Sequence, residues 1–237
     1  MNVNRDEWRA QLDDFFTRLL DVLAAGALLV ALSPLIAITA IAIKLDSRGP
    51  VFYRCRRVGR GGHELKMLKF RKMDDDADGP ALTVNGDVRL TRVGHFLARS
   101  KVDEVPQLWN VLKGEMSLVG PRPEDPSFVA LRPDDFEVIL RVRPGVTGPS
   151  QLAFAKESEL LDPSDRLADY LERFLPQKIA LDRMYVAQRT VRLDLSILVW
   201  TVAAVVLRRD VAVNRQTIRL TRRMRPAVSL DTAPSAR

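Results

Sequence analysis

"LLDVLAAGALLVALSPLIAITAIAI", from Leu19 to Ile43, carries Asp21 as its only charge. At about 25 residues it is long enough, as a straight helix, to cross a hydrocarbon core about 30 Å thick. Ser33 and Pro34 interrupt it. Proline removes one backbone donor and its ring collides with the preceding turn, so the helix must bend there. The bend leaves arms of roughly 14 and 10 residues, about 21 and 15 Å, and neither crosses the core alone. A re-entrant hairpin and an ordinary kinked transmembrane helix both satisfy this pattern. The run is too long for a signal-peptide core and flows into "AIAIKLDSRGP" without a small-residue cleavage site, so it belongs to the mature chain.

The flanks orient the segment. Lys44, Arg48, Arg54, Arg56, Arg57 and Arg60 follow it, opposed only by Asp46, which marks that side as cytoplasmic. The preceding flank mixes Arg5, Arg9 and Arg18 with Asp6, Glu7, Asp13 and Asp14 and points neither way. A length of 237 residues suits one core with appendages. A formal charge of +7 implies an anionic partner: nucleic acid, acidic lipid or a phosphorylated substrate. The charge clusters around the apolar segments and the tail, and the few aromatics are not interleaved with it, which argues against nucleic acid. Cys55 is the only cysteine, so no intrachain disulfide forms. His63 and His95 lack ligand-type partners at helical spacing and read as structural or surface residues.

No internal repeat or long linker divides the remainder. "PVFYRCRRVG" and "HELKMLKFRKM" read as a β-hairpin around Gly61-Gly62. "DDDADG" at 74–79 imitates a calcium loop, but Asn85 replaces the closing glutamate and Pro80 follows the glycine, so it reads as a solvated acidic loop. "VGRGG" lacks dinucleotide-site spacing. Helical patterning runs from Arg92 to Lys113 and again from Pro163 to Arg189, interrupted at Pro176. "LDLSILVWTVAAVVLRR" is too short to span; it suits an interfacial helix, with a buried core helix as the alternative. The tail beyond Asn214 is expected to be largely disordered and drawn to anionic lipid headgroups.

The chemistry concentrates in "RSKVDEVPQLWNVLKGEMSLVGPRPE", Arg99 to Glu124. A helix begun at Ser100 would place Pro106 in its interior; one begun near Asp103 puts Pro106 in the first turn, where its missing donor costs nothing. Asp103 and Glu104 would then feel the positive helix end, which favours the ionised form that a nucleophile or Mg²⁺ ligand needs. Taken alone, the pair is better read as simple capping. Gly120-Pro121-Arg122-Pro123 presents an arginine on restrained backbone, suited to phosphate oxygens, and "VRPGVTG" from Val142 to Gly148 repeats the theme with Arg143.

Ser33-Pro34, "LKFRKM" with Lys69, "DEVPQLWNVLKGEMSLVGPRPE", "VRPGVTG" and "LDRMYVAQRTVRLDLSILVWT" occur in an order that resembles the bacterial sugar transferases, the monotopic phosphoglycosyl transferases, over about Thr17 to Arg208. The resemblance is to the minimal catalytic form, without the multi-helix membrane domain of larger relatives. It implies a helix-rich α/β monotopic membrane protein. A segment 1–46 would hold the re-entrant helix broken at Ser33 and Pro34, a cytosolic catalytic domain 47–213 would end in interfacial amphipathic helices, and a basic tail 214–237 would follow. It implies that Asp103 attacks a UDP-sugar, releasing UMP, and that polyprenyl (undecaprenyl) phosphate then accepts the sugar phosphate on the cytoplasmic face of the bacterial inner membrane. Such a step opens the assembly of exopolysaccharide, capsule, O-antigen or glycoprotein glycans. The resemblance makes Asp103 and Glu104 catalytic and Mg²⁺-binding, with Asp182 and Asp194 as further acidic positions. Lys69, Arg99, Arg122, Arg143 and Gln151 become substrate or phosphate contacts. A membrane-bound phosphohydrolase using Asp103 is the alternative. Ala98 stands where many relatives have a basic residue, and "PSQLAFAK", Pro149 to Lys156, departs from the usual loop, so neither the sugar nor the pathway is named. The oligomeric state is left open, a homodimer included.

Overall fold

The computed structural model describes residues 5–74, 87–162, 165–207, 209, 211–214 and 217–222, with side chains from Asp13 onward except at 158 and 159. The chain opens with α1 (Arg5–Ala31) and α2 (Ser33–Asp46), followed by the hairpin β1 (Phe52–Val58) and β2 (Glu64–Phe70). Next come α3 (Arg92–Ser100), α4 (Gln107–Lys113), β3 (Ser117–Val119), α5 (Pro126–Leu131), α6 (Pro133–Ile139), β4 (Gly145–Thr147) and α7 (Pro149–Ala153). The last elements are α8 (Glu157–Leu160), α9 (Arg166–Asp169), α10 (Leu175–Gln188), α11 (Val191–Val205), β5 (Val211–Val213) and β6 (Leu220–Arg222). The described residues form a helix-rich mixed α/β domain with three two-stranded sheets: β1–β2 antiparallel, β3–β4 parallel and β5–β6 antiparallel.

The helix bends at Pro34 as expected. α1 and α2 meet at 59°, and no single described helix is long and apolar enough to cross a membrane. Pro34 has no N–H for the carbonyl of Val30, and the Ser33 hydroxyl donates to that carbonyl instead, at 2.8 Å. The Ser-Pro pair therefore makes the bend and itself satisfies the carbonyl that the proline leaves open.

Both arms are tied to the same globular body. On α1, the Arg18 guanidinium donates to the carbonyls of Val111 and Leu112 at 2.6 and 2.8 Å, closing the C-terminal end of α4. The buried Asp21 carboxylate accepts from the Leu118 N–H of β3 at 2.9 Å. At the far end of α2, Asp46 accepts from the Val93 N–H at 2.9 Å, and the buried Arg71 donates to the Ser47 carbonyl and hydroxyl, both at 2.9 Å. Between these anchors Leu23, Val30, Ile38 and Ile41 project outward with most of their surface uncovered.

The main core joins β2 (Leu65, Met67), α4 (Leu108, Val111), β3 (Leu118, Val119), Tyr185 of α10 and Ile197 of α11, with Ala25 of α1 packed in. A second cluster, Phe128, Phe136, Tyr170, Phe174 and Ile179, seats α5 and α6 on α10. α11 has two faces: Asp194 and Ile197 are buried while Leu195, Val199 and Val202 are exposed, so it is not wholly a core helix.

The hairpin forms where alternation placed it, with Gly61 and Gly62 at φ 69 and 80 and Phe52 paired with Phe70. His63 and His95 are exposed. The helix expected from Arg92 to Lys113 is instead two, because Lys101 takes a left-handed φ of 60 and ends α3. Pro176 sits in the first turn of α10, behind a π-helical segment Tyr170–Phe174, so the interruption falls just before it. Just beyond Asn214 the described residues form a short hairpin: the Asn214 N–H donates to the Arg219 carbonyl, and Leu220 pairs back onto Val213. Burying Ile218 and Leu220 against the core offsets the ordering cost that composition alone suggested would go unmet. The acidic segment 75–86, with most of the calcium-like stretch, lies outside the described residues.

Candidate active site

The site forms where the end of β2, the turn before α4 and the turn after β3 converge. Lys69 lies near the end of β2 and Lys72 just past it. The Lys72 backbone is pinned by α3: its carbonyl accepts from the Thr91 N–H at 3.1 Å, and a Cβ on Gly94 would stand 1.9 Å from that oxygen. Only glycine permits this approach.

Asp103 and Glu104 belong to a single 3-10 turn, Val102–Glu104, and α4 begins at Gln107 with Pro106 as its cap residue. The helix therefore starts later than the proline rule placed it, and the acids precede it. A seven-residue helix that begins beyond them has little dipole to offer. Lysine and arginine side chains set their electrostatics instead. Asp103 is 2 % exposed; one carboxylate oxygen is 3.4 Å from the Lys72 ammonium, and the other, Oδ1, is buried with no hydrogen-bond partner among the described residues. Glu104 Oε1 lies 3.0 Å from Lys69 Nζ and 3.8 Å from an Arg122 nitrogen. Burial would raise the Glu104 carboxyl, but Lys69, Arg122 and Lys101 together hold it down to about 2. Burial lowers Lys72 against the pull of Asp103.

Arg122 is carried on the turn between the buried Pro121 and Pro123. That turn is locked to β4: Gly145 N–H donates to Pro121 O at 2.8 Å and Gly120 N–H to Thr147 O at 2.9 Å. The two glycine motifs thus meet face to face, which explains their pairing in the sequence. Asp182 of α10 lies behind this turn. Burial pushes it up to about 7, against favourable bonding from the Ser150 hydroxyl and the Arg122 backbone N–H.

The remaining expected residues fall elsewhere. Arg143 donates to the Gly114 carbonyl at 3.0 Å and braces the end of α4. Gln151 donates to the Gly145 carbonyl at 3.4 Å and supports the glycine contact. Arg99 is exposed on the last turn of α3, with no ion pair among the described residues. Asp194 accepts from the Tyr185 hydroxyl at 2.6 Å and lies 3.9 Å from Arg189, a buried brace between α10 and α11. Among the described residues, no three His, Cys, Asp or Glu side chains gather around one point. Asp103 and Glu104 do fit a Mg²⁺ ion that takes one or two carboxylates and completes its shell with phosphate oxygens and water, and the unpartnered Asp103 oxygen suits such a contact.

The profile of the bacterial sugar transferases matches residues 12–208. The chain belongs to that family. It is 37% identical over 202 residues to an undecaprenyl-phosphate glucose phosphotransferase of Komagataeibacter xylinus, covering 81% of this chain and 36% of that protein. It is 44% identical over 144 residues to a UDP-glucose:undecaprenyl-phosphate glucose-1-phosphate transferase of Caulobacter vibrioides, covering 59% and 54%. It is 36% identical over 203 residues to the exopolysaccharide production protein PSS of Rhizobium leguminosarum, covering 81% and 96%. The chain thus spans only about a third to a half of the first two.

In this bacterial sugar transferase, sequence reasoning passed over Lys72, Arg18 and Asp21. Lys72 lies in the same "LKFRKM" stretch as Lys69, and an odd spacing of three puts it past the strand end, where alternation no longer says which way it points. Arg18 and Asp21 sit three apart on one helix face, the only signal that α1 has a docking side.

Proposed function

We propose that this chain is a phosphoglycosyl transferase that moves a sugar phosphate from a UDP-sugar to polyprenyl phosphate. The observation that carries the reading is the buried Asp103 carboxylate, with one oxygen beside Lys72 and the other unpartnered, next to a Glu104–Lys69–Arg122 cluster built for phosphate charge. An Asp103 oxygen attacks the β-phosphorus of the donor. The bond from that phosphorus to the bridging oxygen breaks, UMP leaves, and the phosphosugar remains on the carboxylate. A phosphate oxygen of the polyprenyl phosphate then attacks the same phosphorus, the aspartyl bond breaks, and Asp103 is regenerated. Lys69, Lys72 and Arg122 face the charge that builds on the phosphoryl oxygens. Asp103 and Glu104 would hold Mg²⁺, which when bound supplies further neutralisation of phosphate charge.

Purified protein given a panel of UDP-sugars and undecaprenyl phosphate should release UMP with at least one donor. Phosphate release to water with no need for the lipid acceptor would replace this reading with the phosphohydrolase. The donor that works names the sugar and, with it, the class of glycan begun.

The same reading puts α1 and α2 in the cytoplasmic face of the bacterial inner membrane as a re-entrant hairpin. Its support is that the anchors on both arms, Arg18 and Asp21 before the bend and Asp46 after it, bond to one globular body, so both ends leave on one side. The exposed apolar faces of α2 and α11 would meet lipid. A single cysteine introduced near the N-terminus of a Cys55→Ala protein should react with an impermeant maleimide only from the cytoplasmic side. Labelling from the periplasm would establish a spanning helix.

A further inference from the structure

Behind the Arg122 turn lies a buried ionic group that the proposed chemistry does not use. The Lys178 side chain of α10 is almost fully enclosed, at 5 % exposure for the residue. Its ammonium is 2.5 Å from Glu157 and 3.9 Å from Glu124, donates to the Tyr170 hydroxyl at 3.3 Å, and sits 4.6 Å above the Tyr170 ring. Tyr170 in turn donates to Glu124 Oε1 at 2.9 Å, and the Glu124 carbonyl is held by the Val58 N–H at 3.0 Å. Glu124 is two residues beyond Arg122, and Arg122 feels the field of Glu124 and Glu157 as well as that of Glu104.

Two carboxylates and one ammonium leave this group one negative charge in excess, and the nearby guanidinium balances it. Without the Lys178 charge, two largely enclosed carboxylates would act on Arg122 uncompensated, and partly desolvated charges draw in a counter-charge. The guanidinium would be drawn back from Glu104 toward Glu124 and Glu157. We infer that Lys178 is a positioning residue: by offsetting one of the two carboxylate charges of Glu157 and Glu124 from behind, it leaves the Arg122 guanidinium directed toward Glu104 and the donor diphosphate. This rests on the transferase reading of the site.

Lys178→Met is expected to raise KM for the UDP-sugar by about 10- to 100-fold, the loss of one charge-assisted contact, with a much smaller change in kcat of the folded fraction. Removing one carboxylate as well restores the balance, so Lys178→Met with Glu157→Gln should return KM to within a few-fold of the parent (about 3-fold). The double variant also keeps the test open if the single one fails to fold. A purely structural role would lower the folded fraction and leave KM unmoved. An unchanged KM in the folded single variant, or a KM still raised in the folded double variant, overturns the inference. Calorimetric UDP affinity of the same proteins should follow the same order. A parent protein that binds UDP but releases no UMP with any donor would sink the transferase reading while leaving the Lys178 comparison intact.

Discussion

Asp103→Asn is expected to lower UMP release by at least about 10³-fold while leaving the protein folded. An amide keeps the shape of the carboxylate but cannot displace UMP from phosphorus. The variant should fold because asparagine is nearly isosteric with Asp103 in its buried place, and the Lys72 side chain whose ammonium loses that partner is 25 % exposed and can turn to water. The discriminating measurement is a single turnover without lipid acceptor. The parent should release up to one UMP per active site as the phosphosugar moves onto Asp103, and the variant should release none. Retention of that first turnover by the asparagine protein would remove Asp103 as nucleophile and make it a charge-stabilising or capping residue.

Gly145→Ala is expected to be strongly destabilising. A Cβ there would stand 2.1 Å from the Gly120 nitrogen, 2.5 Å from the Thr147 oxygen and 2.6 Å from the Gly120 Cα. All three are backbone atoms, of Thr147 in β4 and of Gly120 just past β3, so relief requires the main chains to part rather than a side chain to swing aside. Overpacking of this kind costs about 3 kcal/mol or more, which corresponds to a drop in Tm of roughly 6 to 12 °C for a domain of this size. Strand separation would also release the Gly145-to-Pro121 bond that holds the Arg122 turn, so activity of the surviving folded protein should fall further. Gly26→Ala is the internal comparison: a Cβ on that helical glycine meets nothing within 4 Å, and the change should be neutral or slightly stabilising. Equal tolerance of both substitutions would show that the glycine contact does not restrain the site.

The bend at Pro34 was legible because it follows from one covalent fact, the missing N–H, and the hairpin because alternation and a glycine pair are local signals. The start of α4 was not. Proline in a first turn satisfied the local rule, yet Lys101 in a left-handed conformation and a 3-10 turn shifted the helix onset past the acids. That changes the physical account of the site: ammonium and guanidinium groups brought from β2 and the β3 turn hold Glu104 charged, in place of a helix end.

The site residues divided in the same way. Asp103, Glu104, Lys69 and Arg122 gather as expected, and Lys72 joins them. Arg143 and Gln151 share motif character with the site but serve as braces, because a polar side chain beside a turn bonds whichever carbonyl the packing leaves open. Asp194 is likewise a brace, tied to Tyr185.

By itself the sequence determined the broken apolar helix, the hairpin and the acid and arginine motifs, since each depends on covalent geometry or on the period of a few neighbouring residues. Only the tertiary structure decided which cations meet Asp103 and Glu104, that α1 docks through Arg18 and Asp21, and that Lys178 stands behind Arg122. Those pairings join residues up to about a hundred positions apart, and electrostatic energy depends on distance in space and on exclusion of water, neither of which spacing along the chain records.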